Sequence, residues 1–347
     1  MKNAAYFCIV AVTVIVALIY GQNLLVPFIL ALLLWYIMHS LKARLNKVGF
    51  VHKYFPSWLQ TLISTGIIVS ALLLFFNILS NNIQQIAQAL PRYESNLDAV
   101  VQSINQRFNI DIFAIGKKQL GDFDFGNILA EVLNSISGMI GNSFMIILYA
   151  LFILLEESNF PVKLRAMFNS DGDFKQYNQM SSEIEASIGN YLRLKSLVSL
   201  ITGVLSFFAL LIIGVEAPAF WAFLIFILNF IPTIGSLVGT TFPAIFALIQ
   251  FGELQPFILV LVIVGTIQLL VGNLLEPKLM GSSMNISPLV TIIALSVWGA
   301  LWGIVGMIIS VPVTVTMIII FSKFQKTRHI AILLSEKGKV GLTTEGR

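Results

Sequence analysis

The sequence is poor in charged residues. Lys, Arg, Asp and Glu make up 11% of its 347 residues, whereas soluble domains carry about 25%. Hydrophobic residues make up 57%, and the mean hydropathy is +0.89. The apolar runs approach the roughly 20 residues of a membrane helix rather than the short alternating strands of a barrel. We therefore predict an all-α, polytopic integral membrane protein whose first partner is the lipid bilayer.

Residues that bind metals or catalyse reactions are scarce as well. The one cysteine, Cys8, excludes an intrachain disulfide and a multi-cysteine metal site. Two of the three histidines, His39 and His52, stand thirteen residues apart without nearby carboxylates, and the third, His329, is far from both in sequence. The sequence contains no phosphate-binding P-loop, no G-x-S-x-G elbow and no H-E-x-x-H pair. We expect no enzyme activity, no metal and no cofactor. The net charge of +4 does not indicate nucleic-acid binding, because in a membrane protein the location of Lys and Arg matters more.

The basic residues predict the orientation in the membrane. Two spans are predicted at 4–20 and 24–38, and the loop 39–57 after them holds four basic residues and no acidic one. The tail from Ser322 is also basic, with six basic and two acidic residues. Since positively charged loops stay in the cytoplasm, this loop, the tail and both termini are predicted to be cytoplasmic.

The remaining polar and apolar stretches divide the chain into five predicted segments. Further spans are expected at 58–80, 136–155, 197–215 and 256–275, and helices with one apolar face are expected on both sides of Pro91. The segments are a three-span region (1–80), an extracytoplasmic amphipathic-helix region (81–135), a fourth span with a cytoplasmic amphipathic helix (136–196), a transport core with broken helices (197–321) and a basic cytoplasmic tail (322–347).

Two apolar runs in the predicted core, 219–250 and 284–321, are too long for one straight span. A helix of 32 residues would be about 48 Å long, against a hydrocarbon core of ~30 Å. Both runs are interrupted by glycine and proline. Each fits either a kinked span or a re-entrant hairpin, and one crossing each gives about eight crossings in total. Paired interrupted segments point to the binding site of a transporter.

Polar residues at membrane depth are the candidate site residues. Asn and Gln amides both donate and accept hydrogen bonds, which suits a small, neutral, hydroxyl-rich solute. Glu276 and Lys278 are the candidates for binding a coupling ion, a proton or sodium. The alternative for these two is an ion pair at the membrane interface. The candidates for the substrate path are Asn229, Pro232, Thr233, Gly235, Ser236, Gln268 and Asn273.

Several motifs of this chain resemble the autoinducer-2 exporter (AI-2E) family, once grouped as PerM-type permeases. The two most specific motifs lie at 229–235 and 273–281 in the predicted core. The motifs occur in the same order as in the family and cover nearly the whole chain. The motifs are VPFILA (26–31), LPRY (90–93), LLE (154–156), NFIPTIG (229–235), NLLEPKLMG (273–281) and WGALWGIVGM (298–307) with VP (311–312).

The resemblance implies a multi-pass transporter of the bacterial inner membrane that forms homo-oligomers and exports autoinducer-2, a quorum-sensing signal. Members of the family are also linked to sodium–proton exchange. Three hypotheses therefore remain open from the sequence. They are export of a small polar organic solute, cation–proton antiport through Glu276, and a membrane scaffold that does not transport.

Overall fold

The computed structural model describes residues 2–46, 55–108, 143–280 and 285–338. Within these ranges every regular element is a helix, which confirms the all-α prediction. The predictions for residues 109–142 and for the end of the tail lie outside the described residues. In chain order the described helices are α1 (Lys2–Tyr20), α2 (Gln22–Leu45), α3 (Ser57–Phe108), α4 (Ser143–Glu156), α5 (Phe160–Met167), α6 (Asp171–Ile213), α7 (Pro218–Leu228), α8 (Ile234–Phe251), α9 (Leu254–Leu270), α10 (Glu276–Met280), α11 (Pro288–Lys323) and α12 (Arg328–Leu334).

The lengths and compositions of these helices confirm a polytopic membrane protein. Among the described residues, five helical segments are long and apolar enough to cross a membrane, and a sixth candidate is the bent pair α4–α5, with 66° between its parts. The predicted total of about eight crossings therefore stays a prediction.

Two helices are longer than the sequence predicts. The third span was expected to end near residue 80 and a helix break was expected at Pro91, but α3 continues through Pro91 to Phe108. The predicted cytoplasmic amphipathic helix and the fifth span are one helix, α6. A single proline removes only one hydrogen bond of a helix. A change from an amphipathic to an apolar pattern alters what a helix packs against, not whether it stays helical.

The structure divides into two compact units. Unit 1 comprises Met1–Leu73, Gly141–Leu192 and Ser282–Arg347, and unit 2 comprises Leu74–Ile140 and Arg193–Gly281. In unit 1, Ala31 and Met38 of α2 are buried together with Ala150 of α4. In unit 2, the largest buried side chains come from α7 and α8. The second half of α6, the α7–α8 pair and α9 therefore belong to the same unit.

The run 219–250 forms an antiparallel helical hairpin from α7 and α8. The ring centroids of Trp221 and Phe246 lie 4.9 Å apart. Nearer the turn, a Cβ atom built on Gly235 would lie only 1.7 Å from the carbonyl oxygen of Leu228. Going towards the turn, the residues of α7 and α8 that contact each other are closer together in sequence, which is the pattern of a hairpin. Gly235 lets the two backbones touch at its tip, where any side chain would collide with backbone.

The tip of this hairpin is a strained turn. Thr233 has φ 64° and ψ −55°, and the Ile234 N–H donates to the Pro232 carbonyl at 2.6 Å. Together these describe a γ-turn of the rare form that has a positive φ at its centre. Backbone in such a region persists only where the surrounding structure holds it, and it clusters at functional sites.

The base of the same hairpin is closed by one glutamine. The Gln250 amide donates to the Gly214 carbonyl at 2.9 Å, and its side-chain oxygen accepts from the Glu216 N–H at 2.8 Å. The two ends of the run therefore lie side by side, which excludes a single kinked crossing. Since α7 has 11 residues, it is about 16 Å long, roughly half the hydrocarbon thickness.

The run 284–321 also folds back. Gly303 has φ 59° and ψ −140°, and the helix is interrupted there and at Trp302. A Cβ atom on Gly306 would lie 1.9 Å from the Trp298 carbonyl oxygen, although positions eight residues apart in a straight helix are about 12 Å apart. Of the interruptions in this run, Gly303 makes the reversal, because its conformation is open to glycine and strained for other residues.

The base of the second hairpin is closed by backbone hydrogen bonds. The Ser287 N–H donates to the Leu334 carbonyl at 3.1 Å, and Ile286 forms an antiparallel bridge with Ser335. The residues that enter α11 thus pair with the end of α12, the short helix that follows it. Together with the reversal at Gly303, this pairing selects the hairpin over the kinked span for the second run, as the closed base does for the first.

Candidate functional site

A stripe of buried polar residues runs along the second half of α6, in unit 2. Its members are spaced four, three and four residues apart, which places them on one face of the helix. Each is at most 5% exposed. We call this set the α6 polar stripe, and it consists of Lys195, Ser199, Thr202 and Ser206.

The hairpin tip contacts this stripe through Asn229. Asn229 caps the C-terminal end of α7, is 9% exposed, and donates from Nδ2 to the Ser199 hydroxyl oxygen at 3.1 Å. The α7 helix ends there because the next turn leads into Pro232, whose ring disfavours a helical residue before it. Asn229, one of the predicted path residues, is therefore hydrogen-bonded to a buried polar side chain that lies 30 residues away in sequence.

Glu276 pairs with the first residue of the stripe. Lys195 Nζ lies 2.5 Å from Glu276 Oε1, and their side chains are 6% and 23% exposed. The partner of Glu276 is thus Lys195, and the alternative pairing with Lys278 is wrong. A lysine this deeply buried needs a carboxylate beside it, because an unpaired buried charge is costly.

The backbone before Glu276 widens into one π-helical turn. In Val271–Leu275, which follows α9, the Glu276 N–H donates to the Val271 carbonyl, a step of five residues. Pro277 follows directly and has no N–H to give to the preceding turn. Single π-turns inside helices are frequent at functional sites, and this one sets the position from which Glu276 reaches α6.

Gln268 of α9 is the third predicted residue that lies inside unit 2. It is 7% exposed, and a Cβ atom on Gly239 of α8 would lie 3.3 Å from its Nε2. Within the described residues, this Nε2 has no hydrogen-bond partner, and neither have the Ser206 hydroxyl and the Trp221 indole N–H. Such buried polar groups are rare and call for an explanation.

The other predicted residues have structural or surface positions. Pro232 is half-buried in the turn, Gly235 is buried, and Ser236 donates its hydroxyl to the carbonyl of Thr233. The side chains of Thr233, Asn273 and Lys278 are exposed. The structure therefore brings Asn229, Gln268 and Glu276 into one unit with the α6 polar stripe. It leaves Asn273 and Lys278 at its surface.

None of the four stripe residues is among the residues that the sequence singles out. Their helical spacing within a predominantly apolar stretch was the available signal. This spacing is a weak signal, because Lys195 and Ser199 lie where an amphipathic pattern changes to an apolar one. Polar residues are common on the solvent-exposed face of an amphipathic helix. Burial of that face is what distinguishes them.

Comparison with known proteins gives the chain a family. The model of the AI-2E family transporter matches residues 7–326. The AI-2 transport protein TqsA of Escherichia coli is 31% identical over 327 residues, which cover 92% of each chain. A Haemophilus influenzae relative is 30% identical over 91% of each chain, and a Borreliella burgdorferi relative is 34% identical over 71% of this chain and 67% of its own. The chain therefore belongs to the AI-2E family of membrane transporters.

Proposed function

We propose that this transporter is a secondary exporter of a small, polar, neutral organic solute of the autoinducer-2 type. The observation that carries the proposal is the contact between the re-entrant hairpin tip and the α6 polar stripe, through Asn229 and Ser199. Amide and hydroxyl groups that both donate and accept are suited to a hydroxyl-rich solute. The name of TqsA as an AI-2 transport protein supports the choice of solute, and family membership favours transport over a scaffold role.

The partnerless donors of unit 2 support the same proposal. Gln268 Nε2 and the Ser206 hydroxyl are buried with no partner among the described residues, and both belong to elements that surround the hairpin. A polar solute passing through would satisfy these donors and recover their desolvation cost. We therefore assign the solute path to Asn229, Ser199, Ser206 and Gln268.

Replacing Asn229 by alanine tests this assignment. We expect efflux of autoinducer-2 to fall roughly tenfold, because one buried hydrogen-bonding partner of the solute is lost. The measurement is release of the signal from cells that lack the native protein and express each variant at equal level. Asn273→Ala is the matched control, since it makes the same chemical change at an exposed side chain. Equal efflux from the two variants would remove Asn229 from the path.

Sodium–proton exchange is the second candidate function, and the buried Lys195–Glu276 pair favours it. Ionisable residues at membrane depth mark ion pathways and proton relays, and the Glu276 carboxylate would take up a proton or a cation when it separates from Lys195. The two functions separate in proteoliposomes that contain pyranine. A proton flux driven by a sodium gradient and abolished in Glu276→Gln would show that the organic solute is not the sole cargo.

In place of the predicted eight we also propose six membrane crossings, made by α1, α2, α3, α4, the second half of α6 and α9, with neither hairpin crossing the membrane. α7 is too short to cross, and each hairpin has a closed base, so the 219–250 run returns to the outer face and the 284–321 run to the cytoplasm. This keeps both termini in the cytoplasm of a bacterial cell, at its inner membrane. Homo-oligomer formation stays a prediction from the family resemblance.

Cysteine labelling tests this topology. Replacing Cys8 by serine gives a chain without cysteine, into which single cysteines are placed at Glu216 and at Glu253. We expect a membrane-impermeant maleimide to label both positions from outside the cell, because they flank the base of one re-entrant hairpin. A cysteine at Lys326 is the control and should be labelled only after permeabilisation. If 216 and 253 label from opposite sides, the hairpin is not re-entrant.

A further inference from the structure

Unit 1 contains a cavity that the proposed solute path does not use. Its volume is about 410 Å³, and it is lined by α2, α6 and α11. This volume falls in the range of roughly 300–1,000 Å³ that small-molecule sites occupy. Each helix contributes lining residues three or four positions apart, so the cavity lies between three helix faces and is not a gap between loops.

The wall of the cavity is mostly apolar, with aromatic rings on one side. Trp35 and Tyr36 line it from α2, Ile188 from α6 and Val313 from α11. A Cβ atom on Gly189 would lie 1.8 Å from the Tyr36 hydroxyl oxygen. The phenol ring therefore reaches the α6 backbone at a position where only glycine leaves room, and this contact holds the aromatic side of the cavity in place.

Two of the polar groups that line the cavity already have partners. The Trp35 indole N–H donates to Glu157 Oε2 at 2.9 Å, and the Thr316 hydroxyl donates to the Pro312 carbonyl at 2.8 Å. Neither group is therefore free to select a ligand by hydrogen bonding. The Trp35 ring face remains as a contact surface.

Glu185 is the charged residue of the lining. In the described ranges no Lys, Arg or His forms an ion pair with it. Glu183, two residues earlier on α6, differs, because its Oε2 forms an ion pair with Lys323 Nζ at 2.5 Å. The cavity thus combines an apolar wall, aromatic faces and one solvent-exposed carboxylate that has no ion-pair partner in the described chain.

We propose that this cavity is a binding site for lipophilic organic cations. The apolar wall would take up the hydrocarbon part of such a ligand. The faces of Trp35 and Tyr36 attract a positive charge through their ring quadrupoles, and the Glu185 carboxylate supplies the opposite charge. An anion of the same shape would meet repulsion from Glu185. The site is distinct in chemistry from the amide and hydroxyl groups assigned to the polar solute.

Binding of tetraphenylphosphonium to the full chain tests the proposal. With the purified protein in detergent micelles and radiolabelled cation, we expect saturable binding that weakens roughly tenfold in Glu185→Gln, because one charge-assisted contact is removed. Glu183→Gln is the matched control and should bind like the native protein, since it makes the same change on the same helix outside the cavity. Val313→Trp, which fills the cavity, should abolish binding while Glu185 remains.

Radiolabelled tetraphenylborate, which has the same shape and the opposite charge, is measured by itself, without the cation, and should show no saturable binding. Saturable binding of tetraphenylborate with the affinity of the cation would overturn the proposal, as would equal affinity for the cation in the native protein and Glu185→Gln, or the absence of saturable binding of the cation to the native protein. Thermal unfolding of each variant shows that it is folded. If Val313→Trp is not, Ile188→Phe fills the cavity from α6 instead.

Discussion

Glu276→Gln is expected to destabilise the protein by about 3 kcal/mol, because it leaves the Lys195 ammonium group buried without its carboxylate. Lys195 is the more deeply buried partner, at 6% exposure against 23% for Glu276. The reverse change, Lys195→Met, should therefore cost less, since water still reaches the carboxylate. The measurement is thermal or denaturant unfolding of the purified variants in the same detergent.

The double variant Lys195→Met with Glu276→Gln separates stability from transport. Removing both charges should recover much of the stability lost in Glu276→Gln, since replacing a buried pair by neutral groups is often close to neutral. Flux that depends on the pair should not recover. Lys278→Met is the control at an exposed lysine and should shift the free energy of unfolding by less than about 0.5 kcal/mol. If Glu276→Gln behaves like this control, the pair does not stabilise the fold.

Gly235→Ala should destabilise the α7–α8 hairpin by roughly 3 kcal/mol, at the upper end of ordinary overpacking costs. The added methyl group would meet the Leu228 carbonyl oxygen at 1.7 Å. That oxygen belongs to backbone next to a strained turn, so it cannot move aside as a flexible side chain would. The expected result is a lower unfolding temperature together with loss of efflux.

Alanine substitutions at two other glycines, Gly239 and Gly66, serve as controls for the destabilisation expected of Gly235→Ala. A Cβ atom on Gly239 would meet the end of the Gln268 side chain at 3.3 Å, and a Cβ atom on Gly66 would meet nothing within 4 Å. Gly66→Ala should be neutral or stabilising by up to about 1 kcal/mol, because alanine favours a helix interior. Gly239→Ala should fall between the two and reduce efflux by shifting Gln268. A different order of stabilities would mean that the hairpin arms are not packed as described.

Several features of this protein could be predicted because they depend on local composition. The scarcity of charge and the apolar runs predict a helical membrane protein, and the structure confirms this. Asn229, Gln268 and Glu276 could be chosen as candidates for the same reason, since a polar residue within an apolar run can be recognised from the sequence alone, and their role in transport stays a prediction. Helix ends were predicted less well, as α3 and α6 show, because a boundary depends on what the helix packs against.

The partners of these residues could not be predicted in the same way. Glu276 lies 81 positions from Lys195, and Asn229 lies 30 from Ser199. No periodicity within one segment relates positions that far apart. For the same reason the sequence offered Lys278 as the partner of Glu276, since it stands nearby in the chain.

The sequence by itself determined that this chain resides in a membrane, that it is helical, and that two of its apolar runs are too long and too interrupted to be simple spans. These properties follow from hydrophobicity, proline and glycine content and chain length, each of which acts residue by residue. Only the tertiary structure decided that both runs are hairpins, because Gln250 and Ser287 close their bases through residues outside the runs. Burial likewise decided which face of α6 is polar and enclosed, since exposure is a property of the packed unit and not of the helix.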